Sequence, residues 1–128
     1  MPIGWRWFDT DDELLDSSQT DFLESLRSHA ATWTWCVPSH TCALVDEDED
    51  EPGELRAILD VVGTGGSIVA TLGVFLHGDS MQCGETHTQN YVLERKQRIA
   101  GLDASGSPRE LGVLAGKWLE RTAPLLRS

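Results

Sequence analysis

The sequence predicts an α+β fold: a single domain in which an antiparallel β-meander is covered by an N-terminal helix and a capped C-terminal helix. Three observations lead there. Residues 67–76, SIVATLGVFL, form a long run without a charge, and their β-branched and aromatic members suit a buried strand. Glycine-containing reversals flank that run, Gly63-Thr64-Gly65-Gly66 before it and His77-Gly78-Asp79-Ser80 after it, and hairpin loops of this length make its neighbours antiparallel. Capped helical patterns lie towards the two ends of the chain, with no strand-helix-strand alternation to require a parallel sheet.

Each element has its own signal. Residues 3–8 alternate, with Ile3, Trp5 and Trp7 on one side, and read as a short strand. Thr10-Asp11-Asp12-Glu13 has capping-box spacing ahead of a brief helical turn. Ser18 or Thr20 then caps a stronger helix, whose buried face is Phe22, Leu23, Leu26, Ala30 and Trp33 at three- and four-residue steps. Residues 32–37 alternate until Pro38 interrupts, and residues 40–45 resume as a strand. Residues 54–62 fit either a helical stripe or an alternating strand; the glycine-rich connection that follows favours the strand. After the central strand, residues 83–95 read as a mostly polar strand at an edge or exposed face, with Arg95-Lys96-Gln97-Arg98 as the turn before a last strand at 99–102. Ser107-Pro108-Arg109-Glu110 combines a capping serine, a proline in the first turn and a glutamate three residues after the cap. It opens a helix over about 108–122 with the stripe Leu111, Leu114, Ala115 and Trp118, bounded by Pro124.

A chain of 128 residues is enough for one core. The absence of an 18-residue apolar stretch argues against a membrane span. The N-terminus lacks a secretory pattern, and three cysteines cannot all pair within the chain, so a cytoplasmic, reducing compartment is expected. The net charge of −11 is local in origin: residues 1–60 hold 15 acids and 3 bases, the remainder 6 and 7. Such a field disfavours direct contact with nucleic acid, which needs cations to displace phosphate counterions.

The acids concentrate in Asp46, Glu47, Asp48, Glu49, Asp50 and Glu51, followed by Pro52 and Gly53, and packing six like charges together is costly. They are expected on an exposed loop over 46–53, either solvating the chain or meeting the basic surface of a protein partner. They lack the spaced ligands and central glycine of a calcium loop. A competing chemistry uses the two Cys/His groups, in which His40, Cys42, Cys83 and His87 would hold a metal if adjacent strands brought them together, although the spacings match no compact zinc motif. Cys83 with Glu85 and His87 could also serve as a nucleophile with base and orienter, but in-strand neighbours two apart are separated by almost 7 Å. Residues 63–66 lack the lysine and following helix of a phosphate loop, and no motif calls for a cofactor.

The order of helix, meander and capped C-terminal helix, with the small size and acidity, resembles small bacterial immunity proteins encoded beside polymorphic toxins. The segment SPRELGVLAGKWLE is similar to the closing helix of many small bacterial proteins. This resemblance implies a non-enzymatic partner-binding protein that neutralises or regulates its partner, a toxin in the immunity case, and it assigns no residue a role.

Overall fold

A computed structural model describes residues 6–48, 51–89 and 91–127, with backbone alone at 46–48 and 51–53. Helix α1 (Ser17–Ala30) is followed by five strands, β1 (Thr41–Asp48), β2 (Glu51–Val62), β3 (Ile68–His77), β4 (Ser80–Thr86) and β5 (Leu102–Ser105), and by helix α2 (Pro108–Leu126). The strands pair antiparallel in sequence order, so the α+β meander is present as expected. The 54–62 segment is strand, and alternation decides its two faces. Leu55, Ala57, Leu59 and Val61 of β2, Ala70, Leu72, Val74 and Leu76 of β3, and Met81 and Cys83 of β4 point into one core. Helix α2 lies across β2 to β5, and α1 packs against α2.

Phe22, Leu23, Leu26, Ala30 and Trp33 are all buried, as the helical spacing predicts. The cap, however, is Asp16 rather than Ser18 or Thr20. Its carboxylate accepts from the Gln19 amide at 2.8 Å while the Gln19 side chain accepts from the Asp16 amide at 3.0 Å, so the acid satisfies an orphan donor of the first turn. Ser18 and Thr20 lie inside the helix, whose ladder already runs from the Thr20 amide to the Asp16 carbonyl at 2.9 Å. A single 3-10 turn at Asp12–Leu14 precedes the helix, capped by Asp11.

Five other expectations are corrected. Of the first strand, residues 3–5 lie outside the described residues, and residues 6–8 form a turn. Arg6 donates to Asp9, Thr10 and Asp12, which folds the chain back, and Phe8 takes a positive φ of 48°. Residues 32–37 alternate without forming a strand; Trp33 and Trp35 instead pack on each other, with ring centres 4.7 Å apart, and a 3-10 turn at Pro38–His40 leads into β1. The strand expected over 83–95 stops at Thr86, because the chain reverses there: the Tyr91 amide donates to the His87 carbonyl and the His87 amide to the Val92 carbonyl, and the Gln97 side chain then fills the edge beside Glu85. Its amide oxygen accepts from the Glu85 N–H at 2.6 Å and its amide nitrogen donates to the Glu85 carbonyl at 2.9 Å. The last strand is accordingly 102–105, not 99–102. Finally α2 continues through Pro124 to Leu126. A proline in the last turn costs one backbone bond, and burial of Ala123 and Leu126 holds the turn in place. Leu111, Ala115 and Trp118 are buried as the stripe predicts, whereas Leu114 is exposed.

Candidate functional site

The two ends of β2 carry different chemistry. At its start the acids expected on a loop over 46–53 belong largely to paired backbone. Asp46 pairs with Glu54 and Asp48 with Glu51, with an irregularity between Asp46 and Asp48, and residues 49 and 50 lie outside the described residues. Antiparallel pairing is made by the peptide groups whatever the side-chain charge, which is why a run of acids is compatible with strand. Pairing of β2 with β3 begins only at Leu55 and Leu76, so β1 and β2 continue past the third strand as a two-stranded ribbon, by roughly 10 Å at 3.4 Å per residue. Arg56 and His77 hold the base of this ribbon. Glu54 accepts from Arg56 at 2.9 Å and lies 2.7 Å from the His77 ring nitrogen, and the Arg56 guanidinium sits over Phe75, 5.5 Å from the ring centre.

At the other end, β1 pairs only as far as Thr41 and Leu59, which leaves residues 60–62 of β2 open to the chain crossing from α1. A pocket of about 180 Å³ lies there, with Trp35, Cys36, His40, Asp60 and Arg127 among its lining residues. Asp60 accepts a 2.9 Å bond from the hydroxyl of Thr71. That hydroxyl has a single proton, so the 3.1 Å contact with Thr88 is donated by Thr88. Arg127 reaches the pocket by donating its Nε to the Val62 carbonyl at 3.2 Å.

The four residues considered as metal ligands are not brought together. Cys42 faces the outer side of the sheet, level with Ile58, Gly73 and Gly84. Cys83 is level with Val74, Ala57 and Ala43 and points into the core on the opposite side. His40 lines the Asp60 pocket, and His87 lies beyond β4 with its Nδ1 3.1 Å from Glu94. Among the described residues no group of three or more His, Cys, Asp and Glu is placed to hold a metal ion.

The thiols are also tuned away from nucleophilic chemistry. Burial pushes Cys83 up to about 12 and Cys36 up to about 11; burial, then the nearby Asp60 charge, raises Cys42. A nucleophilic cysteine needs the reverse, an electropositive setting that favours thiolate. Glu85, considered as an orienter for Cys83, is instead engaged by Arg98, whose Nε donates to both carboxylate oxygens at 3.1 and 3.0 Å.

Asp60, Arg127 and Tyr91 were not singled out by the sequence. Asp60 left one trace, a charged residue between Leu59 and Val61 in an alternating strand, which marks the outer face. Tyr91, at a positive φ of 55°, follows a polar loop, and its hydroxyl bonds to Cys42 from a position no periodicity reveals. Compared with known proteins, the chain matches no family model, no curated protein and no solved structure.

Proposed function

We propose that this chain is a non-enzymatic interaction protein that docks its acidic β1–β2 ribbon on a basic surface of a protein partner and so neutralises or regulates it. The supporting observation is the placement of the backbone of residues 46–48 and 51, drawn from a run of six consecutive acids, on a ribbon that runs past the end of β3. Concentrated charge at the end of a projecting element steers an oppositely charged partner and selects against others. Following the resemblance to immunity proteins, the partner is a toxin whose basic site the ribbon covers. The alternative, a small enzyme or metal or small-molecule binder built on the Cys/His groups, is favoured by one observation, that Cys36 and His40 share the Asp60 pocket.

The test compares the wild-type chain with a variant in which Asp46, Asp48 and Asp50 become asparagine and Glu47, Glu49 and Glu51 become glutamine. A partner captured by the wild type is purified and its association rate is measured against both chains at low and high salt. Faster wild-type association at low salt, converging with the variant as screening increases, supports the reading. Equal rates at every salt concentration remove the ribbon as a recognition element. For the toxin assignment, co-expression should relieve growth inhibition by the partner, and the variant should relieve it less.

A further inference from the structure

We propose that the pocket at the Asp60 end of β2 binds a small zwitterion with an aliphatic body, an amino acid in chemical class, holding its carboxylate on Arg127 and its ammonium on Asp60. This site is independent of the acidic ribbon, since the two occupy opposite ends of one strand.

Opposite charges on neighbouring walls of a small cleft normally pair with each other. Here they do not. Asp60 is bonded to Thr71 and Arg127 to the Val62 carbonyl, and neither has another hydrogen-bond or ion-pair partner among the described residues. The second carboxylate oxygen and the two terminal guanidinium nitrogens are therefore uncommitted, and these are the atoms that bind an ammonium and a carboxylate, the latter in the bidentate fork that suits arginine. Both anchors are oriented before any ligand arrives, Asp60 by Thr71 and Arg127 by the strand, which reduces the ordering cost of binding.

The rest of the wall suits an apolar body. Val37, Val61 and Ala123 line it, together with Trp35. A few placed polar groups in a mostly apolar cleft is the usual composition of a small-molecule site. The volume of about 180 Å³ slightly exceeds the roughly 150 Å³ cavity known to take benzene, which gives room for a ligand of about six to nine non-hydrogen atoms. The Cys36 thiol lines the same pocket and feels both charges.

Three probes of similar shape test this: L-leucine, 4-methylpentanoate, which lacks the ammonium, and 3-methylbutylamine, which lacks the carboxylate. Each is titrated into the ¹⁵N-labelled full chain while the indole N–H signal of Trp35, assigned with Trp35→Phe, is followed. L-Leucine should move that signal and bind at least about tenfold more tightly than either analogue. Asp60→Asn should abolish the preference over 4-methylpentanoate and keep that over 3-methylbutylamine; Arg127→Gln should do the opposite. No response to any probe, equal affinities, or tighter binding of a singly charged analogue would overturn the proposal. The three-probe comparison on wild-type protein decides the matter even if a variant fails to fold.

Discussion

A β-carbon on Gly112 would lie 2.6 Å from the carbonyl oxygen of Phe22, so α2 touches the backbone of α1 at this point. One turn later a β-carbon on Gly116 would lie 2.5 Å from the His29 ring, which is itself tied to Glu120 at 3.0 Å. Two glycines four apart thus set how closely the helices approach. Alanine is favoured over glycine within a helix by about 1 kcal/mol, but forcing the helices apart costs about 1–3 kcal/mol. Gly112→Ala should therefore lower stability, because a backbone oxygen cannot swing away. Gly65→Ala, where nothing lies within 4 Å, is the control and should be close to neutral. Urea denaturation of the two variants gives the comparison, and an unchanged midpoint for Gly112→Ala would show that the helices separate freely.

Trp118 is only 4% exposed, and its indole N–H donates to the Ala100 carbonyl at 3.0 Å, pinning the segment before β5 to α2. Trp118→Ala should cost about 3–5 kcal/mol. Trp118→Phe keeps most of the volume and loses the bond, so its cost should be clearly smaller. Equal losses for both would assign the whole effect to the hydrogen bond.

Ser107 accepts from the Glu110 amide at 3.2 Å, and Asp16 plays the same part for α1. Alanine at either cap should lose about 1 kcal/mol. Asp16→Ala should lose more than Ser107→Ala, because the Asp16 carboxylate accepts a shorter, charge-assisted bond, 2.8 Å against 3.2 Å for the Ser107 hydroxyl. Chemical denaturation of the pair checks the order.

Glu85 is 5% exposed, and the Arg98 guanidinium holds its carboxyl below the usual glutamate range. A carboxylate whose folded pKa is depressed contributes stability above its unfolded value, near 4.5, and loses it as pH falls through the folded value. At neutral pH the wild type should be more stable than Glu85→Gln, and the gap should close as the pH is lowered below about 4. Arg98→Met should be worse than Glu85→Gln at pH 7, because it leaves a buried carboxylate without its cation. A gap that does not change between pH 7 and pH 3 would exclude this ion pair as the source of the difference.

With a pKa of about 11, Cys36 is thiolate to roughly one part in ten thousand at pH 7, and Cys83, at about 12, still less. Iodoacetamide should label the folded chain slowly, with the Cys36 rate still rising above pH 9. Cys83, buried in the core, should react only as fast as the domain opens. Fast labelling of Cys83 at neutral pH in a protein that remains folded would contradict its placement.

Much of this architecture was legible because its signals are local. The run of residues 67–76 and its two glycine-containing reversals placed β3 and made its neighbours antiparallel, and the Ser107-Pro108-Arg109-Glu110 start marked α2 to the residue. The errors fall where side-chain bonds or packing, which periodicity does not encode, set the backbone. A hydrogen-bonded reversal at His87 to Val92 ended β4, the Arg6 side chain folded the N-terminal segment into a turn, and burial of Ala123 and Leu126 carried α2 past its proline.

The sequence by itself determined the order of helix, meander and helix, the concentration of negative charge at residues 46–51, and the buried faces of both helices apart from Leu114. Tertiary structure alone decided which side chains meet. Alternation assigns the residues of a strand to two faces but does not say which face of the next strand each joins; the register across each ladder does, and a shift of one residue reverses it. That is why Cys42 and Cys83, one level apart, end on opposite sides of the sheet. It is also why Asp60 and Arg127, distant in the chain and part of no motif, share a pocket that forms only where β1 stops short of the end of β2.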